Sequence, residues 1–136
     1  MGWLVPTAFY VVAVGALGIT SKLALRTLPW QDLILWSGLG YVAVAIVLVA
    51  GGQASLRPTV DGGWAAASAA LAITSLVALY VALNTGRASV VVPVTAAYPA
   101  VTLILAAAFL DERITLAKAG GVALVIGGVV LLTVAD

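Results

Sequence analysis

Five long apolar stretches, separated by short polar segments, divide this chain. Each is close to the roughly 20 residues that a helix needs to cross a bilayer. The pattern predicts an all-α membrane protein with five transmembrane helices, at residues 3–21, 33–50, 64–84, 88–110 and 114–135. Lys118 is the one charged residue inside these stretches. It lies near enough to the start of the last helix for its side chain to snorkel to water.

The polar segments predict how the helices are connected. Trp30 precedes the second stretch, where an interfacial tryptophan anchor is expected, and Gly51 and Gly52 end that stretch. The segment from Gln53 to Asp61 is typical of a surface loop. The last two connections are only a few residues long, so the third, fourth and fifth helices are expected to be antiparallel neighbours.

The fourth stretch carries two prolines, Pro93 and Pro99. Each lacks a backbone N–H and displaces the carbonyl four residues earlier, at Ser89 and Thr95. Irregular backbone at membrane depth is tolerated where it is buried in protein or lines a wet cavity. We therefore expect both prolines to kink a helix that borders the path of a transported solute. The alternative is a kinked helix that only packs against its neighbours, since proline is common in membrane helices.

Polar side chains recur at helical spacing within three of the stretches. The first helix has a stripe from Thr7 to Ser21, and the third and fourth helices add further hydroxyls and one amide. Together they predict a cavity for a neutral or zwitterionic solute. The candidate substrate-binding residues are Tyr10, Tyr80, Asn84, Thr95, Tyr98 and Thr102. The alternative is that some of these groups hydrogen-bond between helices as packing contacts.

Two aromatic residues and three charged residues stay outside this candidate site. Trp36 and Tyr41 fit a cavity wall and a lipid-facing surface equally well. The run Asp111, Glu112 and Arg113 sits at a helix end, where charges are usually solvated or capping, and we expect no transport role for it.

The fifth helix repeats glycines at seven-residue spacing, Gly120 with Gly127 and Gly121 with Gly128. Small residues let helix backbones approach closely in lipid. This face therefore predicts a helix-contact seam, and we expect it to form a dimer interface. Spacing alone leaves open whether the seam meets a second copy or helices of the same chain.

The composition excludes several classes of function. The chain is 64% hydrophobic and 8% charged, and it contains neither His nor Cys. It therefore has no imidazole or thiol for a transition-metal cluster or a Ser-His-Asp triad, so we expect no enzyme, no metal and no cofactor. A net charge of +1 without a basic run provides no attraction for nucleic acid, so we expect no nucleic-acid partner. The expected partners are the lipid bilayer and a small-molecule substrate.

Lysine and arginine are balanced across the predicted membrane. The face of the amino terminus would hold Arg57, Arg113 and Lys118, and the opposite face Lys22, Arg26 and Arg87. Because the positive-inside rule then has no bias to act on, we expect dual topology, with two oppositely oriented copies in an antiparallel homodimer. An inverted pair is the arrangement from which many transporters obtain alternating access. The alternative is that the first helix alone sets one orientation.

Four segments resemble the signature of the EamA branch of the drug/metabolite transporter superfamily. They are 86–93 (GRASVVVP), 98–99 (YP), 109–114 (FLDERI) and 121–129 (GVALVIGGV). Common members of that branch have ten helices in two inverted five-helix halves. The resemblance implies that this chain is one half, a single EamA-like transmembrane domain over residues 1–136.

Two departures from related sequences bear on the substrate. The small multidrug transporters, four-helix relatives, carry a membrane-embedded glutamate about eight residues before a lysine that resembles Lys22, and Val14 stands there in this chain. Proton-coupled export of lipophilic cations is therefore not implied. Many EamA-type sequences have an arginine near the position of Ser37, so its absence argues against an anionic substrate held in mid-membrane.

The resemblance implies a secondary transporter of small polar metabolites that works by alternating access. We expect it in the cell membrane, as a multi-pass protein of a bacterial or archaeal inner membrane. One alternative is a flippase for a lipid-linked polar head group, since related short members of the superfamily are associated with that task. Another is a non-transporting membrane subunit, in which the polar stripes are packed away.

Overall fold

The computed structural model describes residues 2–55 and 60–134 of the chain. The described residues form six α-helices: α1 Leu4–Ala24, α2 Trp30–Ala50, α3 Val60–Thr85, α4 Ala88–Thr95, α5 Tyr98–Phe109 and α6 Leu116–Val134. Five segments of this part of the chain are long and apolar enough to span a membrane, with α4 and α5 together making the fourth. The all-α prediction with five membrane-spanning segments is confirmed.

Helix α2 begins at Trp30, earlier than predicted, directly after Pro29 in an extended conformation. Its carboxyl end is a Schellman turn: the Gly52 N–H donates to the Val49 carbonyl over 3.0 Å, and the Gln53 N–H to the Leu48 carbonyl over 2.9 Å. Gly52 has a φ of 66°, a left-handed conformation in which a Cβ is strained. The prediction that glycine ends this helix is confirmed.

The predicted loop from Gln53 to Asp61 is partly wrong, because α3 already begins at Val60 and Asp61 lies in its first turn. A carboxylate there interacts favourably with the positive end of the helix dipole, which extends the helix beyond the apolar pattern. Arg57 and Pro58 lie outside the described residues.

The fourth predicted span, over 88–110, agrees with a membrane-spanning segment at Ala88–Phe109, but this segment is not one continuous helix. The fourth span consists of α4 and α5, separated by a turn at Ala96 and Ala97. Pro93 lies inside α4, which continues past it, whereas Pro99 stands in the first turn of α5. Proline is favourable at a helix start, where its missing N–H would have no partner in the helix. The interruption therefore falls between the two prolines.

The last connection is longer than predicted, because α6 begins at Leu116. Thr115 caps the helix start, where its Oγ1 accepts a 3.2 Å hydrogen bond from the Lys118 N–H. Among the described residues other than glycine, Asp111 is the one with a left-handed backbone, with a φ of 52°. This conformation turns the chain after the end of α5.

The chain forms two compact units, Met1–Thr85 and Gly86–Asp136. In the first, α3 packs against α1 and α2; in the second, α6 packs against α4 and α5, so the predicted neighbourhood of the fourth and fifth spans is confirmed. The described residues with buried side chains or backbones all belong to the first unit: Gly18, Ser21, Leu33, Tyr80 and Leu83. A single domain over residues 1–136 stays a prediction.

Candidate functional site

The interruption of the fourth span is a tight turn with hydrogen bonds to the third preceding residue. The Ala96 N–H donates to the Pro93 carbonyl over 2.9 Å, and the Ala97 N–H donates to the Val94 carbonyl over 3.1 Å. Pro99 has no N–H to give to the Thr95 carbonyl. The backbone at this turn therefore departs from the regular helix in the middle of an apolar span.

A groove of about 630 Å³ runs beside this turn, between α5 and α6. Its walls are largely aliphatic, and Tyr98, Pro99 and Thr102 contribute to it from α5. Gly121 of α6 lines the same groove. The structure thus brings two predicted substrate-binding residues and one predicted kink proline together with one predicted seam glycine.

The three predicted hydroxyl residues of the fourth span differ in the hydrogen bonds that they can still make to a ligand. The Thr95 Oγ1 donates to the Val92 carbonyl over 2.6 Å, and the Thr102 Oγ1 donates to the Tyr98 carbonyl over 3.3 Å. Both threonines therefore keep only acceptor capacity on their oxygens. Tyr98 has 59% of its surface exposed and presents its phenol to the groove side of α5.

A charged pair also lines the α5–α6 groove. The Lys118 Nζ donates to the Glu112 Oε2 over 3.2 Å, and about half of each side chain is exposed. No role in transport was predicted for Glu112, and Lys118 was expected to snorkel and to contribute to the charge balance across the membrane. A six-residue spacing across a helix start matches no helical period, so the sequence carries no periodic signal for this pair.

Tyr80, a predicted substrate-binding residue, is 3% exposed in the first unit. Its hydroxyl lies 2.9 Å from the Ser37 Oγ, which donates its own proton to the Leu33 carbonyl over 2.8 Å. Because Ser37 has a single proton, Tyr80 is the donor between the two hydroxyls. This geometry favours the packing alternative for Tyr80, with its hydroxyl joining α3 to α2.

Lys22 joins α1 to α3 near the same end of the unit. Its Nζ donates to the Leu83 carbonyl over 2.6 Å, and Leu83 has no exposed surface. A cation near a helix carboxyl end interacts favourably with the helix dipole. This contact was not predicted, because its acceptor is a backbone carbonyl 61 residues away.

The other predicted site residues of the first unit are on its surface. Tyr10 is 56% exposed, and Asn84 is exposed near the end of α3. Tyr80 and Asn84 thus face different surroundings although they are one helical turn apart. Trp36 and Tyr41 are both largely exposed, and Tyr41 also lines a cavity between α2 and α3.

The glycine seam on α6 is open. Apart from its chain neighbours and the adjacent backbone of α6, a Cβ built on any of its members would meet no described atom within 4 Å; these glycines are Gly120, Gly121, Gly127 and Gly128. Within the described residues, no other helix packs closely against these glycines, so the face is open to a close helix contact.

The structure combines membrane spans with an interrupted fourth helix and a groove beside it. This combination is typical of transporters, and the family comparison agrees. Residues 3–134 match the EamA-like transporter family. The chain belongs to this family. It is therefore a multi-pass protein of the cell membrane, and its family is one of transporters and not of enzymes. Its five spans are consistent with a single EamA half.

An uncharacterized protein of Methanocaldococcus jannaschii is 40% identical to this chain over 73 residues. The matched segment covers 54% of this chain and 53% of that protein. The chain thus spans about half the length of this curated relative. No solved structure matches the chain significantly.

Proposed function

We propose that this EamA protein is a secondary transporter of small polar metabolites that works by alternating access as an antiparallel homodimer. The observation that carries the proposal is the interruption of the fourth span at Ala96 and Ala97, beside a groove lined by Tyr98 and Thr102. Discontinuous membrane helices recur at substrate sites, because their free backbone groups and helix ends can bind polar solutes.

The groove supports a neutral or zwitterionic polar substrate. Its hydroxyl residues, Tyr98 and Thr102, combine one phenol with acceptor oxygens, and its charged residues carry opposite signs. A net-charged solute would find no uncompensated partner in the Glu112–Lys118 pair. Thr95, next to the interruption, completes the proposed site on the fourth span. Within the first unit, Tyr10 and Asn84 stay predicted substrate-binding residues, and Tyr80 is assigned to helix packing.

The antiparallel homodimer is supported by two independent features. Three lysines or arginines are expected on either membrane face, which leaves the positive-inside rule without a bias. The open glycine seam on α6 offers a surface on which a second helix can approach closely. One half of an inverted-repeat transporter acquires its second half when an oppositely oriented copy binds.

Counterflow into proteoliposomes tests the transport proposal. Vesicles that contain only this protein are loaded with each member of a metabolite panel, and uptake of the labelled solute is measured. Tyr98→Phe removes the phenol from the groove and is expected to reduce flux. Tyr41→Phe removes a phenol from the α2–α3 side and serves as the matched control, with flux near that of the wild type.

The result that contradicts the proposal is absence of flux for the whole panel at high protein density. Movement of a lipid-linked head group in the same vesicles would then support the flippase alternative. Flux that is equal in Tyr98→Phe and the wild type would exclude this face from the pathway.

Orientation is tested separately. Lysines added after Ser55 should hold that loop in the cytoplasm, and lysines added beside Arg26 should hold the opposite face there. Each fixed form alone should be inactive, and coexpression of the two should restore flux. A wild-type population in one orientation, active without a partner, would refute the antiparallel dimer.

A further inference from the structure

A second cavity, of about 460 Å³, lies between α2 and α3. Four residues of each helix line it, at spacings of three and four that define one face: Ile34, Ser37, Gly38 and Tyr41 of α2, and Ala69, Ala72, Ile73 and Leu76 of α3. Ser37 and Gly38 face Ala-rich α3, so small side chains on both walls leave the space open. The transport groove lies elsewhere, between α5 and α6.

The cavity begins where the packing of the two helices ends. Leu33, Tyr80 and Leu83 are buried at one end of the unit, whereas most residues that line the cavity are exposed. The hydroxyl link from Tyr80 to Ser37 joins α2 and α3 at that boundary. The two helices are thus held together at one end and leave a cleft between residues 34–41 of α2 and 69–76 of α3.

The lining has almost no hydrogen-bonding group free for a polar solute. Ser37 gives its proton to the Leu33 carbonyl and accepts the Tyr80 proton, so its hydrogen bonds are made within the protein. Apart from the Tyr41 phenol, the other lining side chains are aliphatic or absent. A polar metabolite that entered would lose hydrogen bonds to water without replacing them, which is costly.

The cleft also lies at hydrocarbon depth. Its residues on α2 begin four positions after Trp30, about 6 Å into the span, and continue to Tyr41, about 16 Å into it. The surrounding phase there is lipid tails, and an apolar space of this size in contact with them will be filled by them. Ligand pockets of a few hundred Å³ with apolar walls are of the size that buries a small ligand.

We propose that the α2–α3 cavity binds one acyl chain of a membrane phospholipid as a resident ligand. The chain enters from the surrounding leaflet, lies between Ile73 and Gly38, and stops at the Ser37–Tyr80 link, where the helices close. The site goes beyond the transport function, since it predicts lipid binding whether or not a metabolite is moved.

The test uses the full-length protein in vesicles of phosphatidylethanolamine and phosphatidylglycerol that contain a phosphatidylethanolamine with a diazirine in one acyl chain. After illumination, labelled residues are mapped by mass spectrometry. Labelling is expected to be enriched on the cavity face of α2 and α3 relative to Ala43, which lies on the opposite face of α2.

Ala72→Leu should fill the cavity and abolish the excess labelling. Ala67→Leu, the same change on the other side of α3, should leave the excess as in the wild type. Melting temperature and size-exclusion profile, measured on both variants, establish that each is folded.

Two outcomes overturn the proposal. Equal labelling of the cavity face and Ala43, unchanged in folded Ala72→Leu, would mean that only annular lipid contacts this face. Protection of the cavity face from the lipid probe, together with cross-links between copies at Ala72, would mean that a second copy occupies it.

Discussion

Replacing Ser37 with Ala and Tyr80 with Phe, singly and together, separates the packing role of the Tyr80 hydroxyl from a substrate-binding role. In the wild type the Tyr80 hydroxyl donates to the Ser37 Oγ, which donates to the Leu33 carbonyl. The two substitutions break this series of hydrogen bonds at different points. Their costs should therefore differ in a way that the direction of the hydrogen bonds determines.

Tyr80→Phe leaves the Ser37 proton on the Leu33 carbonyl, so it removes one hydrogen bond and orphans no donor. Hydrogen bonds between membrane helices contribute about 0.6 kcal/mol on average, and we expect a loss of stability of about 1 kcal/mol or less. Ser37→Ala instead leaves the phenol of Tyr80, 3% exposed, without an acceptor. A buried unsatisfied donor costs about 1–3 kcal/mol, so Ser37→Ala should be the more damaging change.

The double variant removes the orphaned phenol as well. It should be more stable than Ser37→Ala alone, and the sum of the two single losses should overestimate its loss. The free energy of unfolding is measured by titrating detergent-solubilised protein with dodecyl sulfate, with Tyr41→Phe as the control because its side chain is 66% exposed. Counterflow with the Tyr80→Phe variant reconstituted into proteoliposomes should show that it still transports.

Two results would refute this reasoning. A larger loss of stability in Tyr80→Phe than in Ser37→Ala would reverse the inferred direction of the hydrogen bond. Loss of transport in a Tyr80→Phe variant of unchanged stability would return Tyr80 to the substrate site.

Three further predictions use the same unfolding titration. Lys22→Met removes the 2.6 Å bond to the Leu83 carbonyl and should cost about 1.5–3 kcal/mol, since the donor is charged; wild-type stability would contradict a role in joining α1 to α3. Gly52→Ala strains a left-handed residue and should cost about 1 kcal/mol, whereas Gly40→Ala, inside α2 with open space around it, should be neutral or stabilising. Glu112→Gln breaks a half-exposed ion pair and should change stability by less than about 1 kcal/mol at any salt concentration; a larger loss would show that the pair holds α5 to α6.

Hydropathy alone was sufficient to predict the membrane class, the number of spans and their approximate limits. These follow from a solvent constraint: in hydrocarbon each backbone group must bond within its own helix, so an apolar stretch of this length has one favourable structure. The segments around Pro93 and Glu112 also carried enough of the family signature to predict an EamA half. The end of α2 at Gly52 was predictable because a left-handed residue favours glycine.

The partners of the polar side chains were decided only by the tertiary structure. Tyr80 and Tyr98 both stand within apolar spans, yet one phenol is buried against Ser37 and the other side chain is exposed beside the interrupted helix. Helical spacing determines which residues share a face, but it does not determine which face meets another helix.

The same limit applies to contacts that join distant parts of the chain. The Lys22 ammonium reaches a carbonyl 61 residues away, and any residue could supply that carbonyl, so no side-chain pattern marks it. Pro93 and Pro99 predicted an irregular fourth span, but the exact place of the interruption, at Ala96 and Ala97, has no residue signal, since alanine favours helix. A hydrophobic pattern specifies which segments leave water, whereas the choice of partner depends on distances that exist only after the helices have packed.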